Sequence, residues 1–93
     1  MTRYELSPAA EDDLTEILDR VAQSSVSDAA ERVLVAFLAA FERIADASWI
    51  GHTREDWTDE PVRFWIVYSF SIIYPADVQP VNVARIWHGA RAP

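Results

Sequence analysis

The sequence predicts an α+β fold: a short N-terminal strand, a two-helix antiparallel hairpin and a three-stranded antiparallel sheet. Two stretches, 8–23 and 27–48, repeat apolar residues every three or four positions, which is the period of an amphipathic helix. Three later stretches, 62–67, 70–74 and 81–87, are rich in β-branched and aromatic residues. Helices followed by a run of strands favour an α+β arrangement over alternating βαβ units.

Both helices start at a recognisable N-terminal signal. Residues 3–6 alternate polar and apolar side chains and are predicted to form a short strand. Ser7 and Pro8 follow, and these residue types favour the N-cap and the first helical position respectively. Ser27 and Asp28 repeat the signal before the second stretch. Two amphipathic helices joined by a few polar residues are expected to form an antiparallel hairpin.

The second half of the chain is predicted to form the sheet. A connector, 49–61, contains Gly51 and lacks helical periodicity beyond it. Tyr68 and Ser69 are the expected hairpin turn between the first two strands, although neither is the glycine that a tight turn prefers. The helices are expected to cover one face of the sheet, while the other face stays partly open and carries aromatic and arginine side chains.

Length and composition restrict the function classes. With 93 residues the chain is predicted to form one domain over 1–93, and an apolar content of 51% is typical of a globular chain. The absence of cysteine excludes disulfide scaffolds, cysteine-based zinc sites and thiol nucleophiles. No apolar stretch is long enough to span a membrane and no signal peptide is recognised, so a cytoplasmic location is expected.

Charge is distributed unevenly along the chain. The net charge is −7: residues 1–60 carry 14 acidic and 5 basic groups, whereas residues 61–93 carry 1 acidic and 3 basic groups. All eight basic residues are arginines, which stay protonated near neutral pH and cannot act as general bases. A strongly acidic chain binds phosphate backbones poorly, so direct sequence-specific DNA binding is not expected.

Five segments, taken in chain order, resemble toxins of the ParE/RelE superfamily. Residues 4–14 resemble the start of these toxins, with a strand, Ser-Pro-x-Ala and an acidic run ending in Asp-Leu. Segments 41–45 and 50–54 resemble the end of the second helix and the Gly-x-x-Arg connector, and 63–74 resembles the central strands. The strongest match is 83–91, Val-Ala-Arg-Ile-Trp-His-Gly-Ala-Arg, which resembles the family ending Val-x-Arg-Val-x-His-Gly-Ala-Arg.

The resemblance implies two N-terminal helices on a curved antiparallel sheet, and a cognate antitoxin whose C-terminal segment wraps the toxin. It leaves two activities open: ParE-like members inhibit DNA gyrase, and RelE-like members are ribosome-dependent mRNA endoribonucleases. Whether the chain is an enzyme therefore stays undecided, and no cofactor is expected. We favour the ParE-like branch because the chain is acidic, lacks lysine and ends like that branch. A degenerate toxin that only binds its antitoxin is a third alternative.

Four residues are the candidates for catalysis if the chain is a nuclease. Histidine is the residue type most suited to general acid–base chemistry near neutral pH, so His88 is the candidate for proton transfer. Arg63 and Arg85 would steady the scissile phosphate, and Tyr74 would donate a hydrogen bond. The alternative for His88 is structural: it ends the last strand and packs against Trp87 or the helices. Pro75 replaces an arginine that is frequent in the family, which weakens a phosphate-handling role.

The same region supplies the candidates for target binding. A charge within an apolar strand must reach an open face or pair with a carboxylate, such as Glu42 or Glu5. Structural pairing and target contact are both open for the two strand arginines. The target-binding candidates are Arg63, Arg85, Arg91 and Trp87.

The antitoxin is expected to bind an apolar surface. Aromatic side chains on the far face of the sheet would form a patch that receives an amphipathic segment. The antitoxin-binding candidates, on the sheet and on the first helix, are Phe64, Trp65, Phe70, Leu14 and Leu18. No metal site is expected, because His52 and His88 lie far apart in the sequence and no carboxylates cluster at ligand spacing.

Overall fold

The computed structural model describes residues 3–24, 26–53, 56 and 58–89. Its elements, in chain order, are strand β1 (Tyr4–Leu6), helices α1 (Pro8–Ala22) and α2 (Ala29–Asp46), a one-turn 3₁₀ helix (Ser48–Ile50), and strands β2 (Val62–Val67), β3 (Phe70–Pro75), β4 (Val81–Val83) and β5 (Arg85–His88). This order confirms the predicted α+β fold. None of the helices described is long and apolar enough to cross a membrane.

Helix α1 starts at the predicted residues. The Ser7 hydroxyl accepts a hydrogen bond from the backbone N–H of Ala10 at 3.0 Å, and Pro8 is the first helical residue. The same hydroxyl donates to the carbonyl of Ala84 at 2.7 Å, and the Ser7 N–H donates to the carbonyl of Val83 at 3.0 Å. The N-cap therefore also fixes the start of α1 against the junction of β4 and β5.

Helix α2 follows Asp28, but this residue does not cap it through its side chain. Asp28 has a φ of 65°, and its carboxylate makes no capping hydrogen bond. The inner stripe of α2 instead buries Phe37, Phe41 and Ile44 in the core. Packing of this apolar stripe, rather than a cap, is the main stabilisation of α2.

The predicted third strand, 81–87, is two strands in the structure. Strand β4 pairs in parallel with β1, whereas β5 joins an antiparallel sheet of order β2-β3-β5. The break lies at Ala84. Its N–H donates to the carbonyl of Ile73 at 2.8 Å, although Ile73 is in register with Arg85. Ala84 and Arg85 therefore both lie opposite Ile73, as in a β-bulge. At this bulge the chain stops pairing with β1 and begins to pair with β3.

The hairpin between β2 and β3 turns at the predicted pair, Tyr68 and Ser69, with Val67 opposite Phe70. Tyr68 has a φ of 54°. A residue with a Cβ adopts this left-handed region at a cost of about 1–2 kcal/mol. The missing glycine therefore strains one position without preventing the turn.

Strand register decides which side chains face the helices. Ile72 and Tyr74 of β3 lie in the core together with Ile86 of β5. Successive strand residues alternate between faces, so Phe64 and Ile73 lie on the far face. Both are nevertheless buried, at 4% and 7% exposure, while Ile66 on the same face is 60% exposed. The far face is thus open only in part.

Candidate functional site

A groove of about 380 Å³ runs between α1 and β5. Its apolar floor consists of Ile17, Val21, Phe70 and Ile86, and its rim carries charged and aromatic side chains. Among the residues selected from sequence, the groove brings together Phe70, Arg85, Trp87 and His88. It is therefore the place where the predicted site residues of β5 meet Phe70 of β3.

A bidentate ion pair in the groove joins Asp13 to Arg85. The Arg85 Nε lies 2.8 Å from Asp13 Oδ2, and its Nη2 lies 3.1 Å from Oδ1. Asp13 Oδ2 also accepts the backbone N–H of Ile86 at 2.9 Å. Burial raises the pKa of Asp13, but hydrogen bonds from Arg85 and Ile86 outweigh it and hold the pKa below the ordinary value. The carboxylate thus stays ionised and fixes both the arginine and the outer edge of β5.

The partner of Arg85 is thus Asp13 and not one of the carboxylates considered in the sequence. Of these, Glu42 pairs with Arg3 at 2.8 Å. The Arg85 guanidinium also lies 5.9 Å from the centre of the Trp87 ring. Bidentate pairing and the aromatic contact leave Arg85 with a fixed orientation and a largely compensated charge.

His88 is exposed at the end of β5. Its ring lies 5.0 Å from the ring of Phe70 and is tilted by 32°. Within the described part of the chain its imidazole makes no hydrogen bond to a carboxylate or a backbone group. The packing partner is therefore Phe70 and not Trp87, and the imidazole is accessible from the groove.

Tyr74 is fully buried and holds the connector against the sheet. Its hydroxyl donates to the carbonyl of Ser48 at 2.7 Å and accepts the N–H of Gly51 at 3.0 Å. Burial raises the pKa of the phenol above its ordinary value, although the Gly51 N–H and the charge of Arg63 act in the opposite sense. The phenol is therefore neutral at physiological pH and occupied as both donor and acceptor.

Arg63 supports the same turn. Its Nη1 donates to the carbonyl of Gly51 at 2.8 Å. Arg63 stands opposite Tyr74 in the register of β2 and β3, so both side chains reach Gly51 from one face. A Cβ on Gly51 would lie 2.9 Å from Arg63 Cβ and 2.9 Å from Tyr74 Cζ, closer than packed atoms tolerate. We define Ser48, Gly51, Arg63 and Tyr74 as the connector clamp.

The four candidate nuclease residues therefore fall into two groups. Arg63 and Tyr74 belong to the connector clamp, whereas Arg85 and His88 belong to the groove. His88 is opposite Phe70, four residues from Tyr74 along β3, and a strand rises by roughly 3.3 Å per residue, so His88 is roughly 13 Å from Tyr74 along the sheet. Arg85 is opposite Ile73, the residue next to Tyr74, but strand alternation places its side chain on the face opposite to that of Tyr74. The four side chains are therefore not arranged around one small reacting group.

Two residues of these sites, Asp13 and Gly51, were not among the candidates from sequence. Gly51 carried a usable signal, because it is one of only two glycines in the chain. Asp13 carried one as well, because it is the aspartate of the Asp-Leu pair that ends the family-like segment 4–14.

The comparison with known protein families identifies the chain. Residues 4–93 match the family described as ParE toxin of type II toxin–antitoxin system, parDE. The chain belongs to the ParE toxin family. The ParE-like branch favoured from the sequence is therefore confirmed.

Solved structures extend this result for the fold. A chain of the structure titled "Chromosomal ParDE TA system from P. aeruginosa" superposes with a TM-score of 0.76 at 16% sequence identity. The match covers 92% of this chain and 94% of that chain. At this identity the likeness shows a shared fold alone. No curated protein sequence matches the chain.

The predicted antitoxin-binding residues of this ParE toxin do not form one surface. Phe64 is buried on the far face, whereas Trp65 and Phe70 are partly buried on the helix side, packed against the core. Leu14 also packs against the core, and Leu18 is half-buried on α1. Arg91, a target-binding candidate, lies outside the described residues. Those residues contain no cluster of His, Asp and Glu that could hold a metal ion.

Proposed function

We propose that this chain is the toxin of a toxin–antitoxin pair, that it arrests growth by binding and inhibiting DNA gyrase, and that a cognate antitoxin neutralises it. The observation that carries the proposal is the match to the ParE family over residues 4–93. The contacts of the candidate catalytic residues favour inhibition by binding over phosphodiester cleavage.

Acid–base cleavage requires a proton-transfer group and phosphate-binding groups that reach one scissile bond. Tyr74 and Arg63 are hydrogen-bonded to backbone groups of the connector. Tyr74 also lies near one end of β3, whereas His88 is opposite Phe70 at the other end. Arg85 is paired with Asp13. Three of the four candidates thus have structural roles, which leaves His88 without the assembled partners that the reaction needs.

The groove between α1 and β5 is the surface that we assign to the antitoxin. Its floor is apolar, and its rim carries both charge signs through Glu16, Arg20 and Arg85. An amphipathic segment buries its apolar side in such a groove while its polar side pairs with the rim. The antitoxin would then cover Trp87 and His88 as well.

The test of this proposal is a supercoiling assay with purified gyrase. We expect the purified chain to block supercoiling, and an equimolar amount of antitoxin, encoded beside the toxin, to restore it. Intact supercoiling at a large excess of toxin refutes the proposal. For the groove, Val21→Glu is expected to abolish rescue by antitoxin. The matched variant Val35→Glu places the same charge on the exposed outer side of α2 and should be rescued normally.

The exposed imidazole of His88 beside Arg85 favours one second candidate, a ribosome-dependent endoribonuclease. Cell-free translation with a defined mRNA separates the two functions. We expect translation to proceed and the mRNA to stay intact. Cleaved mRNA with the wild-type chain, and intact mRNA with His88→Ala, would establish the nuclease instead.

A further inference from the structure

Trp49 has the largest exposed fraction, 69%, of the large apolar side chains in the described part of the chain. It lies in the middle of the 3₁₀ helix that links α2 to the connector. Its indole makes no ring contact with the described residues. A folded chain gains nothing from such exposure on its own, and tryptophan is among the residue types enriched at interface hot spots.

The backbone that presents Trp49 is fixed on both sides. Tyr74 binds the carbonyl of Ser48 before it and the N–H of Gly51 after it, at 2.7 and 3.0 Å. The neighbouring Ile50 donates its N–H to the carbonyl of Ala47 at 3.1 Å, and its side chain packs against the core. A side chain on such a rigid support loses little conformational entropy when a partner buries it.

A cationic and aromatic stack lies beside this turn. The Arg43 guanidinium is 5.7 Å from the centre of the Trp65 ring, and the His52 ring stacks on Trp65 at 6.4 Å with an angle of 14°. Arg43 forms no ion pair with a carboxylate of the described residues, because Glu42 and Asp46 next to it are taken by Arg3. Arg3, Arg43, Glu42 and Asp46 together carry no net charge, so in a chain of net charge −7 Arg43 is an exposed cation within a locally neutral surface.

We propose that Arg43, Trp49, His52 and Trp65 form the surface that binds gyrase, through an acidic segment of gyrase with an apolar pocket for the Trp49 indole. The proposal rests on the function proposed above and adds the place of contact. Arg43 selects an acidic partner by charge complementarity. A nucleic acid is disfavoured as the occupant because a single unpaired arginine neutralises too few phosphates for backbone binding.

This gyrase-binding surface is separate from the antitoxin groove. His52 pairs with Phe64 on the outer edge of β2, whereas the groove lies beyond β5. Strand β3 lies between them, and adjacent strands are about 4.8 Å apart, so the sheet separates the two surfaces by about 10 Å or more. Changes at Trp49 are therefore expected to leave antitoxin affinity unchanged.

The first experiment compares the wild-type chain with Trp49→Ala in the gyrase supercoiling assay. We expect the concentration for half-inhibition to rise by about 10- to 30-fold, the effect of removing a hot-spot anchor. Tyr68→Ala is the matched control, because it removes another exposed aromatic side chain, 65% exposed, at the hairpin turn. It should change half-inhibition by less than about twofold, and both variants should unfold within a few degrees of wild type, as surface substitutions do.

The second experiment tests the charge of the partner. Arg43→Gln and Arg43→Glu both remove the contact with Trp65, but only the second reverses the charge. We expect Arg43→Glu to weaken gyrase inhibition several-fold more than Arg43→Gln, and equal effects would exclude an acidic partner. Full inhibition by Trp49→Ala overturns this inference and leaves the proposed function intact. A wild-type chain that does not inhibit gyrase overturns both.

Discussion

Replacement of Tyr74 by phenylalanine removes one oxygen atom and breaks the connector clamp. The ring still fills the core, but the Ser48 carbonyl loses its donor and the Gly51 N–H loses its acceptor. Each unsatisfied buried polar group costs about 1–3 kcal/mol. Two groups are affected, and the Ser48 carbonyl is only part-buried, so we expect the free energy of unfolding to fall by about 3 kcal/mol in total. In a domain of this size that loss lowers the melting temperature by roughly 12–24 °C.

Equilibrium urea unfolding, followed by circular dichroism, measures this loss. Tyr68→Phe is the control, because it removes a phenol hydroxyl that is exposed and makes no hydrogen bond within the described residues; a change within about 0.5 kcal/mol is expected there. A Tyr74→Phe variant as stable as the control would refute the reasoning.

The pH dependence of stability provides a second test of the role of Tyr74. The pKa of Tyr74 is raised in the folded chain. Its contribution to the free energy of unfolding is therefore complete below about pH 10, the ordinary pKa of tyrosine, and is lost as the pH rises through the raised pKa. Because the chain has no lysine, tyrosines dominate titration in this range. The wild-type chain should lose stability more steeply above pH 10 than Tyr74→Phe.

Two further predictions concern the residues that sequence reasoning missed. Gly51→Ala should lower the free energy of unfolding in urea by about 3 kcal/mol, because the added methyl group overlaps Arg63 and Tyr74 and disrupts the clamp. The control is Gly89→Ala, where φ is 72° and the space around the residue is free; it should lose only about 1 kcal/mol. Equal losses in the two variants would contradict this prediction. Asp13→Asn should lose about 1–3 kcal/mol at pH 7. Since the pKa of Asp13 is lowered in the folded chain, the difference from wild type should persist above about pH 4 and shrink as the pH falls through the folded value; a difference independent of pH would contradict it.

The sequence predicted those parts of the fold that depend on local physics. Ser7 and Pro8 specify the start of α1 through one local hydrogen bond, from Ala10 to the Ser7 hydroxyl, and through the fixed φ angle of proline. The apolar stripe of α2 specifies its buried side in the same way. The turn at Tyr68 was located correctly because the flanking apolar runs fix its position, even though the turn residue itself is unfavourable.

The parts that could not be predicted depend on contacts between distant residues. The division of 81–87 into two strands lies at Ala84, which forms a bulge against Ile73 and accepts a hydrogen bond from Ser7, 77 positions away. Nothing in the apolar alternation of 81–87 signals this change of partner. Asp13 and Arg85 are 72 positions apart. Any of many carboxylates could have paired with Arg85, and only the packing of α1 along β5 selects one.

Tyr74 and Arg63 show the same limit for the candidate site. An arginine and a tyrosine on adjacent strands have the composition of a phosphate-binding site. The same two residues can also form a clamp for a buried loop. A clamp has backbone groups facing the two side chains, whereas a phosphate-binding site has solvent facing them. Here the backbone of Gly51 faces both. The tight approach around a residue without a side chain identifies the clamp, and this becomes visible only in three dimensions.

At each edge of the three-stranded sheet, one residue of the edge strand is hydrogen-bonded to another part of the chain, and this limits how a partner can bind. At β2, His52 exchanges two backbone hydrogen bonds of 2.7 Å with Phe64. At β5, the Asp13 carboxylate takes the N–H of Ile86 at 2.9 Å. Unpaired edges invite added strands, so a partner strand would have to displace one of these caps before it could pair. A partner that inserts side chains into the α1–β5 groove, or receives Trp49, avoids that cost, which is why both proposed surfaces rely on side chains rather than on the sheet edges.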